Sequence, residues 1–549
     1  MPEESVRPLE RGLAVLRALA VADQVRAGDL VRATGLARST VDRVVATLAR
    51  IGYVREHGQE LRLTPRLMEL GNAYLAASGL SGEVAARTAR LADELDESVS
   101  LAVPDGDGVR FVTQAARRRA MSVAFRIGDL LPAERCAPGA LFAAEWDDAA
   151  WAAWRARVAA DPGGEAFPAL PPGPAAPPPE LADRVERSRV TGWALDDQLI
   201  EPGLIATAVP VRDAAGRARY ALSVVSHTSR HTAQGLAELV LPRLRAEAAH
   251  LESLPAAQLP DDHADVTAPH TDGETLPYEQ PSEAKAELGP GYLQSLARGL
   301  AVLRALGGAR GDGLPLTAIA AATGLPRATA RRCLHTLALE GYAAHDGRLY
   351  RPLPRILELG HARLSGLGFA DIAEPHLRQL TARVHQSASV TVLDGTDILY
   401  VARAATTRVM SVYITLGTRF PAYPTAMGRV LLAGLSQEDR ARLLKAAPPR
   451  ALTRHTVTDP AALKRLFDRA AADGYATADE ELEEGLRSVA VPLKDARGRV
   501  VAALNVAQHA GTAPLDETVG ALLPALRGTA AAIEADLHTA ARFNGVPMP

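Results

Sequence analysis

A pair of short helical segments around residue 325 constrains the fold more than any other feature of this 549-residue chain. Residues 316–339 read LTAIAAATGLPRATARRCLHTLAL. Gly324 follows the first apolar run, and glycine ends helices at little cost because it adopts the left-handed conformation. The second run has one apolar face, and another face carries Arg327, Arg331 and His335 at helical spacing. Two short helices joined in this way are typical of a helix-turn-helix.

A surface helical hairpin with solvated arginines is the alternative interpretation, and repetition of the pattern argues against it. The sequence TGLARSTVDR at 34–43 repeats TGLPRATARR at 323–332. Upstream, LERGLAVLRAL at 9–19 repeats LARGLAVLRAL at 296–306. The two repeats keep nearly the same offset, so only a small insertion separates the copies. The chain is therefore a tandem duplication.

Length and composition set further bounds. A chain of this length suggests roughly three or four domains, and duplication makes that two per half. The net charge of −3 restricts any nucleic-acid contact to local basic patches. Two cysteines, Cys136 and Cys333, predict neither a metal framework nor a disulfide scaffold. We predict no cofactor and, since no signal peptide or membrane-spanning run is recognisable, a soluble cytoplasmic protein.

Each helix-turn-helix is followed by a predicted hairpin. GYVREHGQELRL at 52–63 and GYAAHDGRLY at 341–350 each read as two short strands around a glycine turn. A hairpin after the second helix makes a wing, so both modules are predicted to be winged helix-turn-helix domains. The rest of each half alternates strands and helices and ends in a strand hairpin and a long helix. We therefore predict a mixed α+β fold, in which each winged module precedes an α+β domain.

Two segments have compositions that disfavour a packed core. Residues 161–180 are rich in proline and favour an extended loop. Residues 256–290 are acidic and proline-rich, which indicates a linker spanning on the order of 30 Å. The predicted domains are a winged module at 5–65, an effector-like domain at 66–252, a linker at 253–291, a second winged module at 292–354 and a second effector domain at 355–545.

Four motifs resemble the IclR family of bacterial transcription regulators. They are SLARGLAVLRAL, ATGLPRATARRCLHTLALEGY, LGTRFPAYPTAMGRVLLAGL at 416–435, and DEELEEGLRSVAVPLKDARGRVVAALNVA at 479–507. The wording GLRSVAVP and YPTAMGRVLLA is most similar to the branch that regulates protocatechuate and 4-hydroxybenzoate catabolism. The resemblance implies a DNA-binding winged helix, a GAF-like effector domain, a small organic acid as effector, and dimers or tetramers.

The first half resembles the family less well in its effector domain. Where the second half has YPTAMG at 423–428, the first has RCAPG at 135–139. Ile205 stands at the place of Arg487. The first effector domain is therefore expected to have lost the ligand or to bind a different one.

Double-stranded operator DNA is the predicted partner of both winged modules. Arginines at the start of a recognition helix reach guanine, and threonine hydroxyls reach phosphates. Asp42 takes the place of Arg331 and would repel phosphate unless it accepts from a cytosine amine, so the two modules need not read the same half-site. Self-association or pairing of the two modules within one chain is also expected. The predicted DNA-binding residues are Arg38, Ser39, Thr40, Arg43, Arg327, Thr329, Arg331, Arg332 and His335.

An aromatic or related carboxylic acid is the predicted effector, bound only in the second half. Free N–H groups at the helix start near Gly428 favour an anion, and Arg487 can bind a carboxylate bidentately. Alternatively, Arg487 pairs with a neighbouring surface glutamate. The predicted effector-binding residues are Met410, Tyr423, Thr425, Ala426, Met427, Gly428, Arg487, Ser488 and Asn505.

Catalysis is the less favoured interpretation. The acidic cluster from Asp479 to Glu484 has no visible metal partner and reads as a solvated face. We predict that the protein is not an enzyme. The remaining alternative is a sensor or co-regulator in which only one module, or neither, binds DNA.

Overall fold

The computed structural model describes residues 5–21, 25–80, 82–117, 125–170, 181–254, 289–309, 313–406, 414–511, 514–543 and 546. The chain divides into two compact units, residues 1–366 and residues 367–549. Both winged modules and the first sheet domain belong to the first unit. Residues 255–288 of the predicted linker and 171–180 of the proline-rich segment lie outside the described residues.

The first winged module consists of three helices and a three-stranded antiparallel sheet. Gly35 ends the second helix at φ 66°, as predicted for a glycine at that position. The sequence does not predict β1, because two residues carry no alternation. The elements are α1 (Arg7–Ala20), β1 (Val25–Arg26), α2 (Ala27–Thr34), α3 (Arg38–Arg50), β2 (Val54–His57) and β3 (Glu60–Leu63).

The first effector domain follows helix α4 and is built on a six-stranded antiparallel sheet with strand order β6-β5-β4-β9-β8-β7. Ala208 and Ala221 of this sheet pack with Ala140 of α6, so α6 covers one face. The elements are α4 (Met68–Ala77), α5 (Gly82–Leu95), β4 (Ser98–Asp105), β5 (Gly108–Ala115), β6 (Leu130–Pro132), α6 (Ala137–Ala143), α7 (Asp148–Ala160), α8 (Leu181–Thr191), β7 (Ala194–Asp197), β8 (Leu204–Arg212), β9 (Ala218–His227) and α9 (Ala233–Ser253).

The second winged module repeats the first. Gly324 ends its second helix at φ 63°. The strand pairing is also repeated, with the short strand β10 added beside the wing hairpin. The elements are α10 (Gln294–Ala305), β10 (Leu314–Pro315), α11 (Leu316–Thr323), α12 (Arg327–Leu339), β11 (Ala343–His345) and β12 (Leu349–Pro352), followed by α13 (His361–Leu364).

The second effector domain has the same sheet order, β15-β14-β13-β18-β17-β16. The sequence does not predict the short strands β15 and β16 or helix α16. The elements are α14 (Phe369–Val384), β13 (Ser387–Asp394), β14 (Asp397–Ala404), β15 (Arg419–Pro421), α15 (Ala426–Ala433), α16 (Gln437–Ala446), α17 (Pro460–Asp473), β16 (Ala476–Asp479), β17 (Leu486–Lys494), β18 (Val500–His509) and α18 (Leu515–Ala541).

The two faces of this second sheet carry different chemistry, because alternate residues of a strand point to opposite sides. Ala490 and Ala503 pack with Met427 of α15 in one apolar core, which defines the α15 face. Arg487 donates to Thr518 of α18, which defines the opposite, α18 face. The fold class is confirmed: two winged modules, each followed by an α+β domain. Among the described residues, no helix is long and apolar enough to cross a bilayer.

Candidate functional site

The recognition helices α3 and α12 present most of the predicted DNA-binding residues to solvent. Their apolar faces are buried, for example at Val41 and Leu334. The opposite faces leave six of the predicted residues exposed and Thr40, Thr329 and His335 half-buried. The exposed six are Arg38, Ser39, Arg43, Arg327, Arg331 and Arg332. The amphipathic pattern therefore places cations outward at the first turns of both helices.

The two recognition helices differ at one charged position. In α3, the Arg38 Nε donates to Asp42 Oδ1 at 2.8 Å, and both side chains are more than half exposed. In α12, the place of Asp42 is occupied by Arg331. An exposed ion pair of this kind stabilises a helix by at most a few tenths of a kcal/mol. Its main effect is on which charges the helix presents.

The two modules contact each other through reciprocal pairs of residues. The Val6 N–H donates to Thr336 Oγ1 at 2.8 Å, and the Leu293 N–H donates to Thr47 Oγ1 at 2.9 Å. These are the same contact made in opposite directions, because Leu293 and Thr336 are the second-copy counterparts of Val6 and Thr47. Reciprocity of this kind is the signature of a two-fold interface between like surfaces.

Helices α1 and α10 form the centre of this interface. Gly12 packs against Leu296, and its counterpart Gly299 packs against Leu9. A side chain at either glycine would collide with the opposing leucine, so glycine permits the close approach. The interface between the modules is therefore specified in both copies of the repeated LERGLAVLRAL segment.

Charged groups at the edge of the interface follow the same reciprocity. Arg17 donates to Glu340 at 3.0 Å and to the Tyr342 hydroxyl at 2.9 Å. Arg17 also lies 4.0 Å from Glu358, and the counterparts of these two residues, Arg304 and Glu69, are joined by a hydrogen bond of 3.1 Å. These side chains are partly exposed, so each pair contributes about 1 kcal/mol or less. They orient the interface more than they stabilise it.

Several of the predicted effector residues come together on the α15 face. Tyr423, Ala426 and Met427 belong to the apolar core on that face. Asn505 lies there too, because it is the cross-strand partner of Ala490, and Ser488 is two residues from Ala490 on the same strand. Met410 lies outside the described residues.

A row of polar residues crosses the α15 face. Strand pairing aligns Arg403 with Ser389, and Ser389 with Asn505. Thr391 is two residues further along β13 on the same face. The Thr391 and Asn505 side chains are at most 1% exposed, and among the described residues the Thr391 Oγ1 and Asn505 Oδ1 atoms have no hydrogen-bond partner. Buried polar atoms normally have a partner, which can be protein, ordered water or a ligand.

Sequence reasoning missed three residues of this row: Ser389, Thr391 and Arg403. Arg403 is half-buried and donates through Nη1 to the Ile414 carbonyl at 2.6 Å. Ile414 belongs to the apolar core of the α15 face, so the guanidinium lies beside that core. The signal was present in SASVTVLD, where polar residues alternate with apolar ones, whereas in DILYVARA only Arg403 interrupts the apolar run.

Arg487 does not lie on the same face as the other predicted effector residues. The prediction that it binds the carboxylate of the effector is therefore corrected. Its side chain lies on the α18 face, because it is an odd number of residues from Ala490. There it is 6% exposed, pairs bidentately with Asp479 at 2.7 and 3.0 Å, and donates to Thr518 at 3.2 Å. The alternative prediction, a surface pair with a glutamate, differs in place and in partner from the buried ion pair that Arg487 makes with Asp479.

Thr425 and Gly428 lie at the start of α15, where their polar groups make capping hydrogen bonds. The Gly428 N–H donates to Thr425 Oγ1 at 2.9 Å, and the Thr425 hydroxyl donates to the Ala422 carbonyl at 3.0 Å. The predicted free N–H at Gly428 is therefore a capping bond. A Cβ at Gly428 would collide with the Ala422 backbone, so this glycine is required by packing. The Tyr423 hydroxyl donates to the Arg450 carbonyl at 2.6 Å, which leaves its ring to the core.

The first effector domain has a corresponding row without a cation. Gln114 pairs with Ser100, and Ser100 with Ser223, across β5, β4 and β9. Among the residues that the structure describes, Ser100 Oγ, Ser223 Oγ and both amide atoms of Gln114 have no hydrogen-bond partner. Where Ile414 lies near Arg403, Phe125 stacks on Phe111 with ring centroids 4.3 Å apart. The row is polar and neutral.

A buried acid lies on the same face of the first sheet. Asp196 is fully buried and accepts from the Leu199 N–H at 2.8 Å, while its Oδ2 has no hydrogen-bond partner in the described part of the chain. Burial raises the pKa of the Asp196 carboxyl to about 7. Its counterpart in the second domain is Ala478. An anionic ligand would meet this carboxyl only in the first domain.

Both halves of the chain match domains of known protein families. The IclR helix-turn-helix domain matches residues 8–58 and 295–347, and the bacterial transcriptional regulator IclR C-terminal domain matches residues 72–252 and 361–535. The chain belongs to the IclR family. Each half of this IclR-family regulator contains one copy of both domains, as the sequence predicted.

Individual relatives cover somewhat less than half of this IclR-family chain. The Pca regulon regulatory protein of Pseudomonas putida is 45% identical over 238 residues, which is 43% of this chain and 81% of that protein. The p-hydroxybenzoate hydroxylase transcriptional activator of Acinetobacter baylyi is 33% identical over 244 residues, 44% of this chain and 90% of that protein. A solved transcriptional regulator from Rhodococcus sp. RHA1 is 48% identical over 46% of this chain and all of that chain, with a TM-score of 0.44.

Proposed function

We propose that this protein regulates genes of aromatic-acid catabolism, binding one operator through both winged modules and an aromatic carboxylic acid through its second effector domain. The observation that carries the proposal is the reciprocal pairing of two modules whose recognition helices expose arginines. The relatives support the class of target genes, since their names refer to the Pca regulon and to p-hydroxybenzoate hydroxylase.

The second module makes the stronger base contacts in this proposal. Arg327, Arg331 and Arg332 lie on the exposed face of α12 and can bind guanine O6 and N7 bidentately. Thr329 and Thr40 are proposed to contact phosphates, and Ser39 and Arg43 to extend the DNA-binding surface of α3. His335 lies one turn after Arg331 on α12.

A gel-shift titration tests this DNA-binding role. Replacing Arg327, Arg331 and Arg332 together by alanine should abolish specific binding to a duplex selected from a random library, since each base-reading arginine contributes about 1–3 kcal/mol. Replacing Arg378 and Arg383, which are exposed on α14 of the second effector domain, should leave affinity unchanged. Unchanged affinity in the triple variant would refute the role.

The paired modules are proposed to act as an intramolecular pseudo-dimer. Tethering by the predicted linker at 253–291 raises the effective concentration of one module near the other. A protease site inserted into this linker allows the test. Cleavage should weaken operator binding at low protein concentration, whereas equal binding by cut and intact protein would show that the pairing does not depend on the tether.

The effector is proposed to bind on the α15 face of the second domain. Arg403 is the group that can pair with the acid's carboxylate in a charge-assisted bond. Asn505, Ser389 and Ser488 are proposed to bind ring hydroxyls. The buried cluster that contains Tyr423, Ala426 and Met427 supports an apolar wall of the kind such sites have. Calorimetry of the full chain with protocatechuate and 4-hydroxybenzoate tests this directly.

A further inference from the structure

The two recognition helices are paired within one chain although their exposed residues differ. In a dimer of identical chains, both recognition helices are the same, and the operator mirrors this as a palindrome. Here α3 and α12 belong to one polypeptide and contact each other's modules through reciprocal bonds. Nothing in this arrangement requires the two half-sites to be equal.

The difference lies at the residues placed for base contact. Arg38 and Arg43 of α3 match Arg327 and Arg332 of α12, but Asp42 replaces Arg331. Ala46 replaces His335. The exposed face of α3 therefore carries one net positive charge from these residues, and that of α12 carries three. Both helices keep the arginine at their first turn, so the difference is confined to the later positions.

The replacement of Arg331 by Asp42 changes which base the recognition helix is suited to bind. Arginine binds guanine O6 and N7 in the major groove, whereas a carboxylate accepts from the cytosine N4 amino group. In α3 the Arg38 Nε donates to Asp42 Oδ1 at 2.8 Å, and this holds the carboxylate beside the arginine on the exposed surface. The pair presents an acceptor next to a donor, which matches a cytosine beside a guanine.

We propose that the operator consists of two unequal half-sites, in which the half under the first module has cytosine where the half under the second module has guanine. This inference rests on the proposed DNA-binding function. Asp42 is the residue that determines the difference. The asymmetry also gives the bound protein one orientation on the operator.

Selection of duplexes from a random library with the full-length protein provides the test. The selected site is compared with two symmetric duplexes, each built from two copies of one half. The wild-type chain should bind the selected site about tenfold more tightly than either symmetric duplex, since one bidentate base contact contributes about that factor. Exchanging the predicted cytosine for guanine should cause a similar loss without any change in the protein.

A substitution then reverses the preference. Asp42→Arg should make the duplex with two second-module halves the tightest ligand. The control Glu238→Arg adds the same charge at an exposed position of α9 and should keep the wild-type preference.

A palindromic selected site, or equal binding of the symmetric duplexes by the wild-type chain, would overturn the inference while DNA binding stands. A chain that enriches no sequence would refute the DNA-binding function, and this inference with it.

Discussion

The two effector domains share one sheet order but differ in what their covered faces can bind. In the second domain the polar row contains Arg403 beside Ser389 and Asn505. In the first domain the same positions are held by Gln114, Ser100 and Ser223. Within the described ranges, both rows contain buried polar atoms without a hydrogen-bond partner. Duplication has kept the polar row in both copies, and only the row of the second domain contains a cation.

The buried acid makes the difference larger. Asp196 lies on the α6 face of the first sheet, where the second domain has Ala478. An ionised carboxyl on this face would repel an anionic ligand, and a protonated one could accept or donate a hydrogen bond to a neutral ligand. Loss of a cation and gain of an acid both disfavour the same class of ligand. The comparison therefore predicts one acid-binding domain per chain.

Replacing Arg403 with glutamine makes the second row like the first and should have the largest effect. Loss of a charge-assisted bond costs about 1.5–3 kcal/mol, so affinity for 4-hydroxybenzoate should fall about ten- to a hundredfold. Calorimetry of the full chain measures the change. Arg383→Gln removes the same charge from an exposed position on α14 and serves as the control. Equal losses in both variants would show that the effect is general electrostatics.

The reverse change should build a weaker acid site in the first domain. Gln114→Arg places a cation in the neutral row, and Asp196→Ala supplies the residue found in the second domain. The double variant should bind a second acid molecule per chain, and Gln114→Arg alone should bind it more weakly because Asp196 remains. Calorimetric stoichiometry distinguishes the two. If the double variant still binds one molecule, the cation and the acid do not explain the difference between the domains.

The raised pKa of Asp196 predicts a pH-dependent cost in the first domain. The folded pKa of Asp196, about 7, exceeds the unfolded value of about 3.9. The folded state therefore keeps its full stability below the unfolded pKa, where the carboxyl is protonated in both states, and its free energy of unfolding falls as pH rises toward 7. Asp196→Asn removes this titration. The variant's gain in Tm over the wild type should be larger at pH 8 than at pH 5, at roughly 2–4 °C per kcal/mol. A gain independent of pH would contradict the assignment.

Arg487 should have the smallest effect on acid binding. It lies on the α18 face and pairs with Asp479. Arg487→Gln combined with Asp479→Asn removes the ion pair without leaving a charge unpaired, and affinity for the acid should stay within about twofold of the wild type. A loss as large as that of Arg403→Gln would restore Arg487 to the binding site.

The recognition modules were more predictable from sequence than the effector site. Two signals predicted the modules: the glycines at which helices end, Gly35 and Gly324, and the periodic apolar faces. Both are local in sequence, and local signals specify short helices well. The effector row is assembled from the hairpin β13–β14 and from β18, which is distant from that hairpin in sequence. Arg403 and Asn505 are neighbours only through Ser389, and a single residue of register decides whether a side chain such as Arg487 reaches the row or the opposite face. Sequence proximity of Arg487 to Ser488 suggested one site, and strand alternation places them on two.

The number of aromatic acid molecules bound per intact chain tests the central claim most directly. Calorimetric titration of the full-length protein with 4-hydroxybenzoate should give one molecule per chain, and Arg403→Gln should weaken that binding. Two equivalent molecules per chain, or binding that survives Arg403→Gln unchanged, would contradict the account.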